Sequence, residues 1–288
     1  MRNYSRPYLL ILPALLYYLI FFAYPVTRAI LQSFQTDEGE ITSQFYRQIF
    51  GDPYFFTALR NVALIAGASV ILEFIIALGI ALLINTRFKW SNIFFFIFLI
   101  PFVLPEVAVA AIWASGFAER GWINSLLVHL GLMNSANPIN WLGYGKFLQW
   151  IIMLILIDTW RTMPFVMIIL LAGLQGMSRE YSEAAIVFGA GRWQVIKRIT
   201  LPLLKPSIQT AIILRSIASI QIFVIVTVLF GYRNLPVPVE EAVYYFKELR
   251  LEHAASAYAV IIAFVVAVFS IVYLYLSGAF KGKEVNEA

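Results

Sequence analysis

Long apolar segments separated by short polar ones dominate the chain. Six of them reach about the 20 residues that a helix needs to cross a bilayer, at residues 8–30, 61–84, 94–117, 147–172, 207–230 and 255–280. The pattern predicts an all-α fold: a polytopic membrane helix bundle with six transmembrane helices. The first stretch is too long for the apolar core of a signal peptide, so we expect it to be retained as a span.

The composition agrees with a membrane protein and excludes several kinds of chemistry. Hydrophobic residues make up 61% of the 288 residues and charged residues only 13%, against about 25% charged in an ordinary globular protein. Cysteine is absent, which rules out disulfides, thiolate metal ligands and thiol catalysis. The two histidines, His129 and His253, are far apart in predicted loops. We therefore expect no catalytic residue, no metal and no cofactor.

The distribution of basic residues predicts an orientation. If both termini are cytoplasmic, the segments on that side carry eleven lysines and arginines, and those on the outer side carry eight. The positive-inside rule favours this arrangement. The net charge of +5 is then explained by the membrane, and no nucleic acid partner is expected.

The segment 181–206 is a polar, cationic island between two apolar stretches. Ser178 is a candidate N-cap, Gly189 or Gly191 can end a short helix in the left-handed conformation, and Pro202 is expected to stop a second helix. A helix, a bend and another helix exceed what a loop between antiparallel spans requires. The charge pattern places this unit in the cytoplasm, where it predicts a docking surface.

The island also carries a motif. Its signature residues are Glu183-Ala184-Ala185, Gly189-Ala190, Leu201-Pro202 and Pro206. This pattern resembles the cytoplasmic EAA loop of the membrane subunits of binding-protein-dependent ABC importers. The segments 171–175 and 121–126 are similar to the carbohydrate branch, of the maltose and glycerol-3-phosphate type. The chain departs from the family at Phe188, where Asp is usual, and near Gly231, where a Gly-Gly-Pro motif is common.

The resemblance implies a single transmembrane permease domain over residues 1–288, with the EAA coupling loop at 176–206, and the type I importer (MetI-like) fold. Such a chain would be the permease of an ATP-driven importer in a prokaryotic plasma (inner) membrane, translocating a sugar or sugar-like solute. Its implied partners are a second homologous permease, two ABC ATPase subunits, an extracytoplasmic solute-binding protein and membrane lipid. The sequence contains no Walker phosphate loop, so it predicts a transport subunit and places ATP hydrolysis on separate subunits.

The same resemblance assigns the coupling contacts. They fall on Glu183, Ala184, Ala185, Phe188, Gly189, Ala190, Leu201 and Pro202. Phe188 either inserts into a groove of the ATPase or packs back on the loop or on lipid headgroups. Short helices predicted in the outer segments 31–58, 119–146 and 231–254 would face the binding protein.

Five ionisable residues fall inside the predicted spans, where each is costly unless it faces water, the bundle interior or an opposite charge. They are Glu73, Glu106, Asp158, Arg161 and Arg215. Asp158 and Arg161 are three residues apart, which favours a local ion pair. Arg215 can instead neutralise Glu73 or Glu106.

The family resemblance also implies substrate contacts on the helices before and after the EAA loop. The candidates are Asp158, Arg161, Phe165, Arg215, Ser219 and Gln221. Glu106 joins them because Pro101 and Pro105 can kink its helix and open carbonyls to a cavity. Trp113 and Trp160 are aromatic candidates for stacking on a sugar ring. An alternative stays open: an ion-coupled secondary transporter that uses Asp158, Glu106 and Glu73 as a relay.

Overall fold

The computed structural model describes residues 5–278, with side chains from Leu10 onward. In chain order its helices are α1 (Ser5–Tyr18), α2 (Tyr24–Gln32), α3 (Gln44–Gly51), α4 (Pro53–Asn85), α5 (Ser91–Val103), α6 (Glu106–Phe117), α7 (Trp122–His129), α8 (Phe147–Gln175), α9 (Glu180–Val187), α10 (Arg192–Val195), α11 (Leu201–Ile220), α12 (Val224–Phe230), α13 (Pro238–Lys247) and α14 (Glu252–Ser277). Two π-turns, Leu19–Ala23 and Ile196–Thr200, join α1 to α2 and α10 to α11.

Helices long and apolar enough to cross a membrane account for all six predicted stretches. Four are single spans, namely Leu10–Gln32, α4, α8 and α14. Two bent pairs, α5 with α6 and the segment Arg192–Ile220 with α12, bring the number to six. The all-α membrane bundle is therefore confirmed. The end of the last predicted stretch, residues 279 and 280, lies outside the described residues.

Two predicted spans are broken. A kink in 94–117 was expected from Pro101 and Pro105, whereas the break in 207–230 was not predicted. Between α5 and α6 the chain bends by 92°, because Pro105 disfavours helical conformation at Leu104, whose ψ is 133°. Between α11 and α12 the bend is 43°, at Gln221–Phe223, with no proline at the break. The two pieces that follow the breaks, α6 and α12, pack against each other.

The expectation that Pro202 stops a helix was also wrong. The helical segment runs from Arg192 through Ile220, and the backbone N–H of Leu201 bonds to the carbonyl of Ile196, five residues back. A proline ring clashes with the carbonyl four residues before it, and the wider π-turn shifts that carbonyl. Pro25 follows the other π-turn in the same way, so both turns accommodate a proline without ending the helix.

The apolar core of the bundle is divided along its length. One cluster surrounds Leu154 and Ile225, between α4, α6, α8 and α12. A second surrounds Met167 and Leu204, at the end of the bundle that leads into α9. A third holds the short helices α3 and α13 against α14. The buried charges described next lie between the first two clusters.

Candidate functional site

A buried ionic cluster joins α4, α8 and α11. Arg215 donates from Nε to Glu73 Oε2 at 2.6 Å and from a terminal nitrogen to the carboxylate of Asp158. The Thr162 hydroxyl lies 2.8 Å from Glu73 Oε1 and 2.6 Å from the carbonyl oxygen of Asp158, and accepts from Arg215 Nε at 3.1 Å. All four side chains are buried. One guanidinium thus bridges carboxylates from two other helices.

Such a cluster persists in an apolar bundle only as a set. Removing ions from water costs several kcal/mol each, and mutual attraction offsets that cost only when the geometry is good and the remaining polar atoms are bonded. Here both acids and the hydroxyl converge on Arg215. The arrangement therefore ties together three spans, and the loss of any charged member would leave an opposite charge buried alone.

A second ion pair lies beside the cluster and corrects a prediction. Arg161 binds Glu106 at 3.0 Å, and both side chains are partly exposed. The local pair between Asp158 and Arg161 does not form: Asp158 turns to Arg215 instead, because α11 packs on that side of α8 and brings a guanidinium with it. Of the two partners considered for Arg215, the structure shows Glu73, whereas Glu106 belongs to Arg161.

A cavity of about 520 Å³ opens beside both ion pairs. Six of the seven candidate substrate residues line it: Glu106, Asp158, Arg161, Phe165, Arg215 and Gln221. The seventh, Ser219, is buried and donates its hydroxyl to the Arg215 carbonyl oxygen at 2.8 Å, so it supports α11 rather than facing the cavity.

The aromatic residues at the cavity differ from those expected. Trp113 and Trp160 pack edge-on against each other, with ring centroids 5.7 Å apart, and neither lines the cavity. Phe102 and Phe223 line it together with Phe165, and the Phe102 and Phe165 rings stack at 5.7 Å. Sequence reasoning missed the first two. The signal available was their position next to the helix breaks.

Both helix breaks border this cavity. Glu106 begins α6 directly after the bend at Pro105, and Gln221 and Phe223 lie in the break before α12. Backbone that is not helical is tolerated at membrane depth only where protein buries it or where it lines a polar cavity. The expected kink is present at Pro105 and lies beside the cavity, whereas Pro101 stays within α5.

The segment after α8 folds as a helix, a glycine bend and a second helix. The Ser178 hydroxyl accepts from the Glu180 backbone N–H at 3.3 Å, at the start of α9. Gly189 ends α9 in the left-handed region, with φ of +84°, where a side chain is strained. Gly191 has φ of −69° and its N–H donates to the Gln194 side chain at 2.9 Å. Of the two glycines considered, Gly189 makes the bend.

Large apolar side chains of this segment point into solvent. Val187 is 84% and Phe188 90% exposed, and Trp193 is exposed as well. Glu183 and Ala184 are exposed on the same short helix, Ala185, Ala190 and Leu201 are half-buried, and Pro202 is exposed. Phe188 therefore does not pack back on the loop. We call Glu183, Val187, Phe188 and Trp193 the coupling surface, after the role that the family resemblance implies for this loop.

A further ionic cluster, on the opposite end of the bundle, was not predicted. Arg233 pairs with Asp52 at 2.8 Å and with Glu241 at 3.0 Å, and its guanidinium lies 4.3 Å from the Tyr244 ring centroid. Asp52 also accepts from Tyr245 Oη at 2.8 Å. Burial raises the pKa of Glu241 to about 7 and the neighbouring Glu240 adds to the shift, although Arg233 opposes it. This cluster clamps α13 to the beginning of α4.

The chain matches a family model described as "Binding-protein-dependent transport system inner membrane component" over residues 73–282. It is 33% identical over 238 residues to the trehalose/maltose transport system permease protein MalF of Thermococcus litoralis, covering 80% of this chain and 78% of that protein. It is 35% identical to the sulfoquinovosyl glycerol transport system permease protein SmoG of Agrobacterium fabrum, covering 75% and 70%.

The fold has a solved counterpart as well. A chain of a bacterial ABC transporter involved in the import of the acidic polysaccharide alginate superposes with a TM-score of 0.83 at 23% identity, over 96% of both chains. Membership of the family sets aside the ion-coupled carrier considered above. The family match covers most of the chain, including α8, the EAA motif and α11, and the chain belongs to the inner membrane components of binding-protein-dependent transport systems.

Proposed function

We propose that this chain forms one half of the solute pathway of an ATP-driven importer and that it passes a sugar or sugar-like solute through the cavity beside Arg215. The observation that carries the proposal is the position of that cavity. It lies where two spans break, among aromatic rings and polar side chains. Aromatic faces next to groups that donate and accept hydrogen bonds suit a sugar ring.

The relatives support the solute class. Their names include trehalose and maltose, lactose and arabinooligosaccharides, and the lactose permease LacF of Rhizobium radiobacter is 29% identical over 75% of this chain. The exposed amide of Gln221 can both donate to and accept from a hydroxyl group. Solute contacts on Glu106, Asp158, Arg161, Phe165, Arg215 and Gln221 are part of this proposal.

The coupling surface is the proposed contact with an ABC ATPase. Val187 and Phe188 leave apolar area in water that a partner's groove would cover. In this proposal the loop 176–206 and both termini are cytoplasmic, residues 1–288 form one permease domain, and two ATPase subunits hydrolyse ATP. A second permease completes the pathway, and the outer helices α3, α7 and α13 face the binding protein.

Coupling requires that ATP binding favour one conformation through contacts that differ between states. Glu183 and Gly189 supply the charged contact and the bend on which such contacts would depend. Glu183→Ala combined with Gly189→Val should abolish uptake and weaken ATPase association, while membrane insertion stays normal because neither residue packs in the bundle. A matched control is Gly191→Ala, at a glycine whose φ of −69° suits any residue.

The measurement is binding-protein-dependent, solute-stimulated ATP hydrolysis and uptake by the reconstituted complex, together with co-purification of the ATPase. Normal uptake by the double variant would contradict the assignment of this loop. ATP hydrolysis that does not respond to the binding protein in the unmodified complex would contradict the proposed function itself.

A further inference from the structure

Every cation at the cavity is already bound to a carboxylate of this chain. Arg215 holds Glu73 and Asp158, and Arg161 holds Glu106. From this we propose that the cavity selects uncharged glycans and rejects anionic ones. The inference rests on the proposed function, because it assigns the charge of the solute that would occupy that same site.

The charge of Arg215 is already balanced before any solute enters the cavity. Its side chain is almost fully buried, and its Nε and one terminal nitrogen are engaged by carboxylates from α4 and α8. An acidic solute would either add a negative charge beside these two carboxylates or displace one of them and leave it buried without a cation. Neutral hydroxyl groups demand no such exchange.

Arg161 is more accessible, yet it is also neutralised. Glu106 occupies it at 3.0 Å from the first turn of α6, where a carboxylate is additionally favoured by the positive end of the helix dipole. Counting both sites, three carboxylates surround two guanidinium groups. Even if one carboxyl group were protonated, the set would carry no net positive charge to attract an anion.

The rest of the lining fits an uncharged ring. Phe102 and Phe165 stack at the cavity, Phe223 adds a third aromatic side chain, and Gln221 offers an amide. No lysine lines the cavity among the described residues. The recognition available is therefore aromatic contact and neutral hydrogen bonding.

Family membership does not decide the charge of the solute. The solved transporter with the same fold imports an acidic polysaccharide. Curated relatives carry the names of neutral sugars, such as trehalose/maltose and lactose, and of sulfoquinovosyl glycerol, which bears a sulfonate. At 23% identity the structural match shows only the fold. Discrimination between neutral and acidic solutes must therefore come from the side chains at this cavity.

The test compares two probes of similar size and linkage, maltotriose and trigalacturonic acid, on the full permease complex in nanodiscs without binding protein. Saturation-transfer NMR reports weak contact of either probe with the membrane subunits. Maltotriose should bind, and the acid should bind about tenfold or more weakly, as expected for one uncompensated like charge about 10 Å away at an effective dielectric constant of about 20.

Variants at the accessible pair make the test specific. Glu106→Gln releases Arg161 and should strengthen binding of trigalacturonic acid about tenfold, while Arg161→Gln should weaken it further. Glu119→Gln, an exposed outer carboxylate that lines a different pocket, serves as the control and should change neither probe.

The outcomes separate the two proposals. Equal binding of both probes to the unmodified complex, or no gain of acid binding in Glu106→Gln, would overturn the selectivity while the proposed function stands. If neither probe bound although uptake depended on the binding protein, the cavity would not be the sugar site and the selectivity would fall with it. If uptake did not depend on the binding protein, the proposed function itself would be overturned.

Discussion

The interior of the bundle contains charged residues, and the coupling surface exposes apolar ones, which is the reverse of the usual distribution of polarity. Inside, Arg215, Glu73 and Asp158 are buried and bound to one another. Outside, Val187 and Phe188 are exposed, with nothing in the described chain covering them. Buried charges must be paired, whereas an exposed apolar patch marks a surface that binds a partner. The bundle is thus complete by itself at its ionic cluster, and the coupling surface is not.

Breaking the interior should have the largest effect. Arg215→Met leaves Glu73 and Asp158 buried without a cation, and losing one member of such a set costs about 3–5 kcal/mol. We expect poor expression and a much lower unfolding temperature of the purified protein, measured by the loss of its monodisperse gel-filtration peak on heating.

The control is Arg161→Met, whose pair with Glu106 is partly exposed and should cost under about 1 kcal/mol. If the two variants were equally stable, the buried cluster would not hold the spans together. Adding Glu73→Gln and Asp158→Asn to Arg215→Met should recover part of the stability, because no uncompensated charge then remains.

The cluster of Arg233, Asp52 and Glu241 is a second set of paired charges that can be compared with the one around Arg215. Burial raises the pKa of Glu241 to about 7 from 4.5, so the folded protein holds a proton there that the unfolded chain has released. Stability should therefore fall as pH rises from about 4.5 to 7, by up to about 3 kcal/mol.

Thermal unfolding of the purified protein between pH 5 and 8 measures this dependence. Glu241→Gln should flatten the profile, whereas Glu248→Gln, an exposed carboxylate at the end of the same helix, should leave it unchanged. If the unfolding temperature fell equally steeply with pH in wild type and in Glu241→Gln, another ionisable group would be responsible.

The coupling surface can be broken without touching the fold. Phe188→Ala removes an exposed ring, so the unfolding temperature should stay the same, while the affinity for the ATPase should fall about tenfold, or about 1.4 kcal/mol. Tyr144→Ala is the matched control, since Tyr144 is 89% exposed on a different segment. If the ATPase affinity of Phe188→Ala were unchanged, the Phe188 ring would contact the lipid headgroups and not the ATPase.

A smaller effect should come from the bend itself. Gly189→Ala places a Cβ at φ of +84°, which costs about 1–2 kcal/mol of local strain, whereas Gly191→Ala at φ of −69° should cost nothing. Uptake at limiting ATPase concentration compares the two variants. Equal uptake would mean that the left-handed bend is not required for coupling.

The sequence predicted the elements better than their continuity. All six spans and the bend at Gly189 could be found from apolar length and glycine position. The break at Gln221 was missed, because an apolar stretch looks the same whether or not its helix is interrupted, whereas the kink at Pro105 could be expected from the proline. At Pro202 the opposite error occurred: a helix end was predicted, but the helix continues because a π-turn accommodates the proline.

The candidate site was predicted in part. Six of the seven proposed substrate residues share one cavity. The family resemblance implied five of them, and the prolines before Glu106 indicated the sixth. The pairing among them was not predictable: three-residue spacing favoured Asp158 with Arg161, and Arg233 gave no signal of its outer cluster. Phe102 and Phe223 were overlooked among many aromatic residues, since composition does not say which ring faces a cavity.

By itself the sequence determined that this chain is an all-α membrane protein with a motif similar to that of ABC importer permeases, because apolar length and local motifs are properties of neighbouring residues. Only the tertiary structure decided which charges neutralise each other, since α4, α8 and α11 bring Glu73, Asp158 and Arg215 together from positions up to 142 residues apart. Low dielectric surroundings make such contacts strong and their absence costly. The charge presented to a solute is therefore a property of the packed helices.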